Sequence, residues 1–169
     1  MDFIQGLIQF LESLSQDPFL YSVVFFIYAV AATTFLPIPV EVGLFFSPET
    51  PIVVKALVLG AGKAVGSVLV FTLGGKVSNG VYRLMSKSKV LSYIMRGMQW
   101  FVFRTRYVGL YLILSIPLMV DTLPIYIFSL FNQEGAMNLR YFALTNFLAG
   151  ITRAFIVYAI FLYLGLKLV

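Results

Sequence analysis

The chain contains no cysteine and no histidine. Disulfides, thiol nucleophiles, Cys/His zinc sites and histidine-based triads are therefore excluded, while a carboxylate-bound cation stays open. Charge is scarce too: Asp, Glu, Lys and Arg make up 11% of 169 residues, against 60% hydrophobic, with a mean hydropathy of +0.95. One soluble core could not hide that much apolar surface. The composition is that of a multi-pass protein of the cell membrane. The amino terminus, with Asp2, Glu12 and Asp17, lacks the basic start of a signal peptide, so no cleavage is expected. No lipidation motif is visible.

Residues 1–169 read as a single membrane domain. Within 1–17, Phe3, Ile4, Leu7, Ile8, Leu11 and Leu14 recur at helical spacing, which predicts an amphipathic helix on the membrane surface or against the bundle. A first repeat is expected over 18–74. Phe19 to Leu36 is apolar and about 27 Å long as a helix. It meets Pro37 and Pro39, and the arm from Val40 to Ser47 reaches only roughly 12 Å, too short to cross a bilayer. A re-entrant hairpin fits both arms; the alternative is a full span followed by a half-helix. Ile52 to Leu73 reads as a true span, with Gly60, Gly62 and Gly66 as a small-residue face for close helix approach.

From Lys76 to Arg106 there are seven bases and no acid. This stretch (75–106) is expected to be a basic amphipathic helix or helix pair on the cytoplasmic side, with Trp100 as an interface anchor. A second repeat is expected over 107–169. Tyr107 to Ile116 covers about 15 Å, half a bilayer. Pro117, Asp121 and Pro124 follow, then an apolar stretch to Phe131. The last span is expected over Leu139 to Leu168, with Arg153 near its midpoint. The predicted class is an all-α polytopic membrane protein, an inverted repeat of re-entrant hairpin plus transmembrane helix with amphipathic interfacial helices.

The charges inside apolar runs carry the functional reading. Glu41 follows Pro37 and Pro39, Asp121 lies between Pro117 and Pro124, and Lys63 and Arg153 sit inside the spans that follow. Ionisable groups in such surroundings are costly, so they pair, face water or mark a pathway. Prolines there free backbone groups that lipid cannot satisfy. Glu41 and Asp121 can be proton-coupling groups, or ligands for a cation or a lipid amine; the plainer reading is a structural pair, Glu41 with Lys63 or Arg153. Lys63 and Arg153 can hold a lipid phosphate or simply balance the acids. Asn146, on the Arg153 face, can complete a polar cavity or bond between helices. Arg140 and Lys55, near helix ends, are expected to snorkel to the interface.

These residues resemble the DedA/VTT (SNARE-associated) membrane protein superfamily. Phe35-Leu36-Pro37-Ile38-Pro39-Val40-Glu41 is similar to its proline-proline-acid hairpin. Gly62-Lys63-Ala64-Val65-Gly66-Ser67, with Phe71 and Gly74, resembles its glycine-rich helix. Ile116-Pro117, then Asn146, Gly150 and Arg153, then Gly165, follow in the family's order. The likeness covers roughly 20–166. Leu114 and Val120 stand where typical members have arginines around the second Ile-Pro, which makes the chain similar to the shorter YqaA-like branch. The resemblance implies lipid movement across the membrane, while the missing arginines speak against a phosphate carrier.

The leading expectation is a lipid translocator of flippase or scramblase type, with optional coupling to H+ or another cation and no other cofactor. A small-solute or ion exporter of the same fold is the alternative, and a non-transporting scaffold is another. No enzyme is expected: Ser67 lies one turn from Lys63, but nothing else supports a nucleophile. Expected partners are membrane lipids and not nucleic acid; a homo-oligomer stays open.

Overall fold

The computed structural model describes Gln5 and residues 17–164, apart from Pro37, Pro48, Glu49, 86–88, Gln133, Glu134 and Ala136; side chains of 75–92, 94 and 95 are likewise outside the described set. The amphipathic helix expected near the amino terminus, Pro37 as a hairpin breaker and Gly165 thus lie outside the described residues. Every regular element among the described residues is helical.

Helix α1 spans Pro18–Thr34. Asp17 caps it, its Oδ1 accepting the amides of Phe19 at 2.9 Å and Leu20 at 3.3 Å, and Pro18 occupies the first turn, where its missing N–H costs nothing. After the break at 35–39 comes a short 3-10 helix, Val40–Phe45. It runs back along α1: Tyr28 donates to Pro39 O at 3.0 Å and Tyr21 donates to Gly43 O. The two arms form a hairpin of unequal length.

Helix α2 spans Ile52–Met85. The apolar stretch and the beginning of the basic stretch therefore share one helix. Helix α3, Lys89–Ser115, carries the rest of the basic stretch and continues past a kink at Arg106, whose φ of 44° is non-helical. The later part of the expected basic segment and the expected half-span are two limbs of α3. After the second break, α4 covers Thr122–Leu130 and folds back, Phe128 packing edge-on to Phe101 at 5.8 Å. Pro124 lies in the first turn of α4, where proline is tolerated; it helps start that helix, whereas Pro117 lies in the break itself. Helix α5, Leu139–Tyr163, is capped by Asn138, which accepts the Arg140 amide at 2.9 Å.

Two of these helices are long and apolar enough to cross a membrane: Ile52–Gly74 (mean hydropathy 1.9) and Leu139–Tyr163 (1.6). They pack on each other more extensively than any other pair. A Cβ on Gly150 would lie 2.9 Å from Gly60 Cα, so the two backbones touch. On its other side α2 meets α1: a Cβ on Gly62 would lie 2.5 Å from Ala29 Cβ, and one on Gly66 2.8 Å from Thr33 Cβ. Gly62 and Gly66, one turn apart, form a close packing seam with α1, whereas Gly60 faces α5 and does not share the single small-residue face expected for all three.

Candidate functional site

The two breaks bring Glu41 and Asp121 to the same place between α2 and α5. Glu41 lies in the first turn of the 3-10 helix, and Asp121 immediately precedes α4. In that position Asp121 would ordinarily cap α4 with its carboxylate, but it makes no such bond. It turns to the bases instead. Lys63 Nζ donates to Asp121 Oδ1 at 3.1 Å, and Arg153 Nη1 approaches the same oxygen at 3.0 Å. Arg153 Nε lies 3.2 Å from Glu41 Oε1.

All four side chains are completely shielded. Two cations and two anions cancel, which makes burial of so much charge tolerable. The pairing is crosswise. The acid at each tip meets the base on the other half's long helix, Glu41 with Arg153 and Asp121 with Lys63, and Arg153 joins the two pairs. Of the two structural pairings open for Glu41, the one with Arg153 is formed.

The same charges serve the backbone of the second break. Arg153 Nη2 donates to Ile116 O at 2.6 Å and Met119 O at 3.0 Å. Lys63 Nζ reaches Leu114 O at 3.4 Å, and the Leu118 amide donates to Glu41 Oε1 at 2.8 Å. Main-chain groups freed by Pro117 thus find charged partners on three other elements. Leu118 adopts φ +60°, a left-handed conformation that L-residues avoid.

Several buried polar atoms nevertheless make no hydrogen bond among the described residues: Glu41 Oε2, Asp121 Oδ2, Asn146 Oδ1, Thr33 Oγ1, and Arg153 Nε and Nη1. The guanidinium faces both carboxylates at ion-pair distance without hydrogen-bond alignment there. Asn146 is fully buried, but its amide donates to Phe142 O one turn back at 2.9 Å and bonds to none of the four charges. It stands on the same helix as Arg153 and outside the charge network. Lys55 does not snorkel. It is buried at 3% exposure, donates to Leu44 O at 2.9 Å, and lies 5.8 Å from the Tyr21 ring centroid. Arg140 is exposed.

Beside the second break lies an apolar recess of about 140 Å³, lined by Phe45, Pro117, Leu118, Val157, Ile160 and Phe161. Its lining comes from the end of the 3-10 helix, the second break and α5. Sequence reasoning singled out neither the recess nor the inward-facing main chain of Ile116, Leu118 and Met119. The only signal for the latter was Pro117, which announces freed backbone but not what will satisfy it. Among the described residues no group of three or more Asp and Glu side chains is placed to hold a metal ion.

The chain matches no protein-family model, no curated protein and no solved structure. The functional reading therefore rests on the site's own geometry.

Proposed function

We propose that the chain is a multi-pass membrane translocator of the DedA/VTT kind that moves a lipid between leaflets, with Glu41 and Asp121 as its ion-responsive groups. The observation that carries this reading is the crosswise cluster of Glu41, Arg153, Asp121 and Lys63, built from two hairpin tips and two long apolar helices. Structural pairing alone asks for one acid and one base; this site keeps two of each, with an unbonded oxygen on each acid able to take a proton or cation.

In this reading the hairpins are re-entrant and enter from opposite faces. The basic stretch faces the cytoplasm, and the two repeats are inverted about the charge cluster. Support for a membrane setting comes from α2 and α5: less than half of the apolar 18-residue stretch in each is buried within the protein (44% and 39%), so their remaining apolar surface needs a non-aqueous neighbour. The recess at the second tip is apolar on every side, which suits hydrocarbon better than a hydrated solute and favours lipid over a small-solute or ion exporter.

One observation favours a scaffold instead: the charges pair with one another and bond the broken backbone, a structural task that could by itself retain them. Purified protein in vesicles with headgroup-labelled lipids, read by a membrane-impermeant quencher, separates the readings. Flipping above protein-free vesicles, reduced in Glu41→Gln and Asp121→Asn at equal insertion, is expected. No flipping with any headgroup, with or without an ion gradient, would overturn the lipid reading.

A further inference from the structure

We propose that residues 116–120 are the moving gate of this site, latched shut by Glu41 and Arg153, while the described residues of the first break, Phe35, Leu36, Ile38 and Pro39, form a fixed wall. The proposal rests on the translocator reading and assigns that site its regulation.

The two tips are held by different kinds of bond. In the first break the Phe35 and Leu36 amides both return to Ala31 O, at 2.9 and 3.0 Å. Thr122 donates to Ala32 O at 3.1 Å and Leu36 O at 3.3 Å, and Tyr28 donates to Pro39 O. Every one of these bonds joins neutral groups. Leu36 and Ile38 also pack against the core formed around Phe25 and Leu44.

The second break is the opposite case. Its inward-facing groups bond to a carboxylate and a guanidinium: Leu118 N to Glu41, Ile116 O and Met119 O to Arg153. Ile116 is 52% exposed and Leu118 71%, much as Phe35 is at 66% in the first break, so the difference between the breaks lies in the bonds. Leu118 is held in a left-handed conformation, so releasing its amide lets the backbone relax to an easier one. Loss of the Glu41 charge, or capture of Arg153 by an anionic group, removes the bonds that impose this shape. The result is a strap with one left-handed residue, whose bonds to distant segments all run to charged side chains. Opening it would also alter one wall of the apolar recess, since Pro117 and Leu118 form part of that lining.

The absence of native cysteine makes the test direct. Leu118→Cys and Ile38→Cys would each be placed singly in the full chain, reconstituted in vesicles, and their modification by a membrane-impermeant thiosulfonate timed. Combining each with Glu41→Ala removes the latch acceptor; combining with Glu41→Gln removes the charge but keeps an acceptor, and serves if the alanine variant does not fold. Modification at 118 is expected to quicken by about tenfold or more with Glu41→Ala, the scale of losing a hydrogen bond to a charged group. With Glu41→Gln the rise is smaller but in the same direction, and the rate at 38 changes little. Equal acceleration at both positions would mean general loosening and would overturn the proposal, as would no change at 118. The readout needs no transport. Selective labelling without lipid flipping would keep the gate and remove the translocator; flipping with unchanged labelling would do the reverse.

Discussion

Glu41 and Leu118 lie 77 positions apart, yet the Leu118 amide donates to Glu41 Oε1 at 2.8 Å. A carboxylate at one hairpin tip closes a backbone gap at the other. Arg153 does the same for the carbonyls of Ile116 and Met119 while facing the Glu41 and Asp121 carboxylates. In an apolar setting an unpaired main-chain group costs several kcal/mol. The charges that mark the site are thus also what permits the break. Changing a charge here changes the fold of the second tip, and stability and function must be read together.

Arg153 should be the least replaceable of the four. Arg153→Met leaves two acids facing one remaining base and strips two carbonyls of their donor. A loss of about 3–5 kcal/mol is expected, the range for breaking a buried ion pair from one side. Arg153→Lys keeps the charge but lacks the planar fork that reaches carbonyls and carboxylates together, so it should fall between Met and wild type. Reversible unfolding in mixed micelles measures both. Equal stability of all three proteins would mean that Arg153 is not the hub.

The pairing of Lys63 with Asp121 predicts non-additivity. Asp121→Asn should cost more than Lys63→Met, because Asp121 Oδ1 serves Arg153 as well as Lys63. Combining the two leaves Glu41 and Arg153 balanced, so the double variant should recover about 0.5–3 kcal/mol relative to the sum of the singles. Strict additivity in the same unfolding assay would show that the Lys63–Asp121 contact adds nothing.

The acids after proline and the bases inside apolar runs were readable as a candidate site because both features are costly and local, and the structure brings them together. Gly62 and Gly66 were readable as a seam because small residues one turn apart have few other uses in an apolar helix. Which base meets which acid was not readable, since crosswise pairing depends on how α2 and α5 are placed against the tips. Pro124 was ambiguous for a physical reason: proline suits a break and a first helical turn equally well. The run of α2 to Met85 was hidden because a change from apolar to basic composition need not interrupt hydrogen bonding. Nothing in its neighbours' side chains marks Leu118 as left-handed; the bonds that impose that conformation come from distant segments.

Lys55 tests how far position alone can mislead. A lysine in the first turn of a long apolar helix is normally an interface residue, and losing it should change stability by no more than about 0.5 kcal/mol. Here its ammonium is buried on Leu44 O, at the end of the 3-10 helix that carries Glu41. Lys55→Met should therefore cost about 1.5–3 kcal/mol, as for a lost hydrogen bond to a charged group. It should also loosen the 3-10 helix, seen as faster amide exchange at Gly43 and Leu44. A cost near zero with unchanged exchange would return Lys55 to the surface class.

Helix approach at Gly62 gives the most geometrically constrained prediction. A methyl group there would stand 2.5 Å from Ala29 Cβ, too close for α1 to stay in place, and 3.0 Å from Phe26 O, a tight contact as well. Gly62→Ala is expected to cost about 1–3 kcal/mol, the range for overpacking a filled interface. Ala29→Gly removes the nearer obstacle but not the carbonyl, so the double variant should recover part of that loss and not all of it. Gly66 offers a parallel case, since the atoms nearest its Cβ position belong to the Thr33 side chain at 2.8 and 2.9 Å, with Val30 O at 3.0 Å. Unfolding of the single and double variants, compared at equal detergent, decides the matter. Full tolerance of Gly62→Ala would mean that α1 and α2 are not in backbone contact. Since α1 leads directly into the tip that carries Glu41, the charge cluster would then need a different account of what holds its first acid in place.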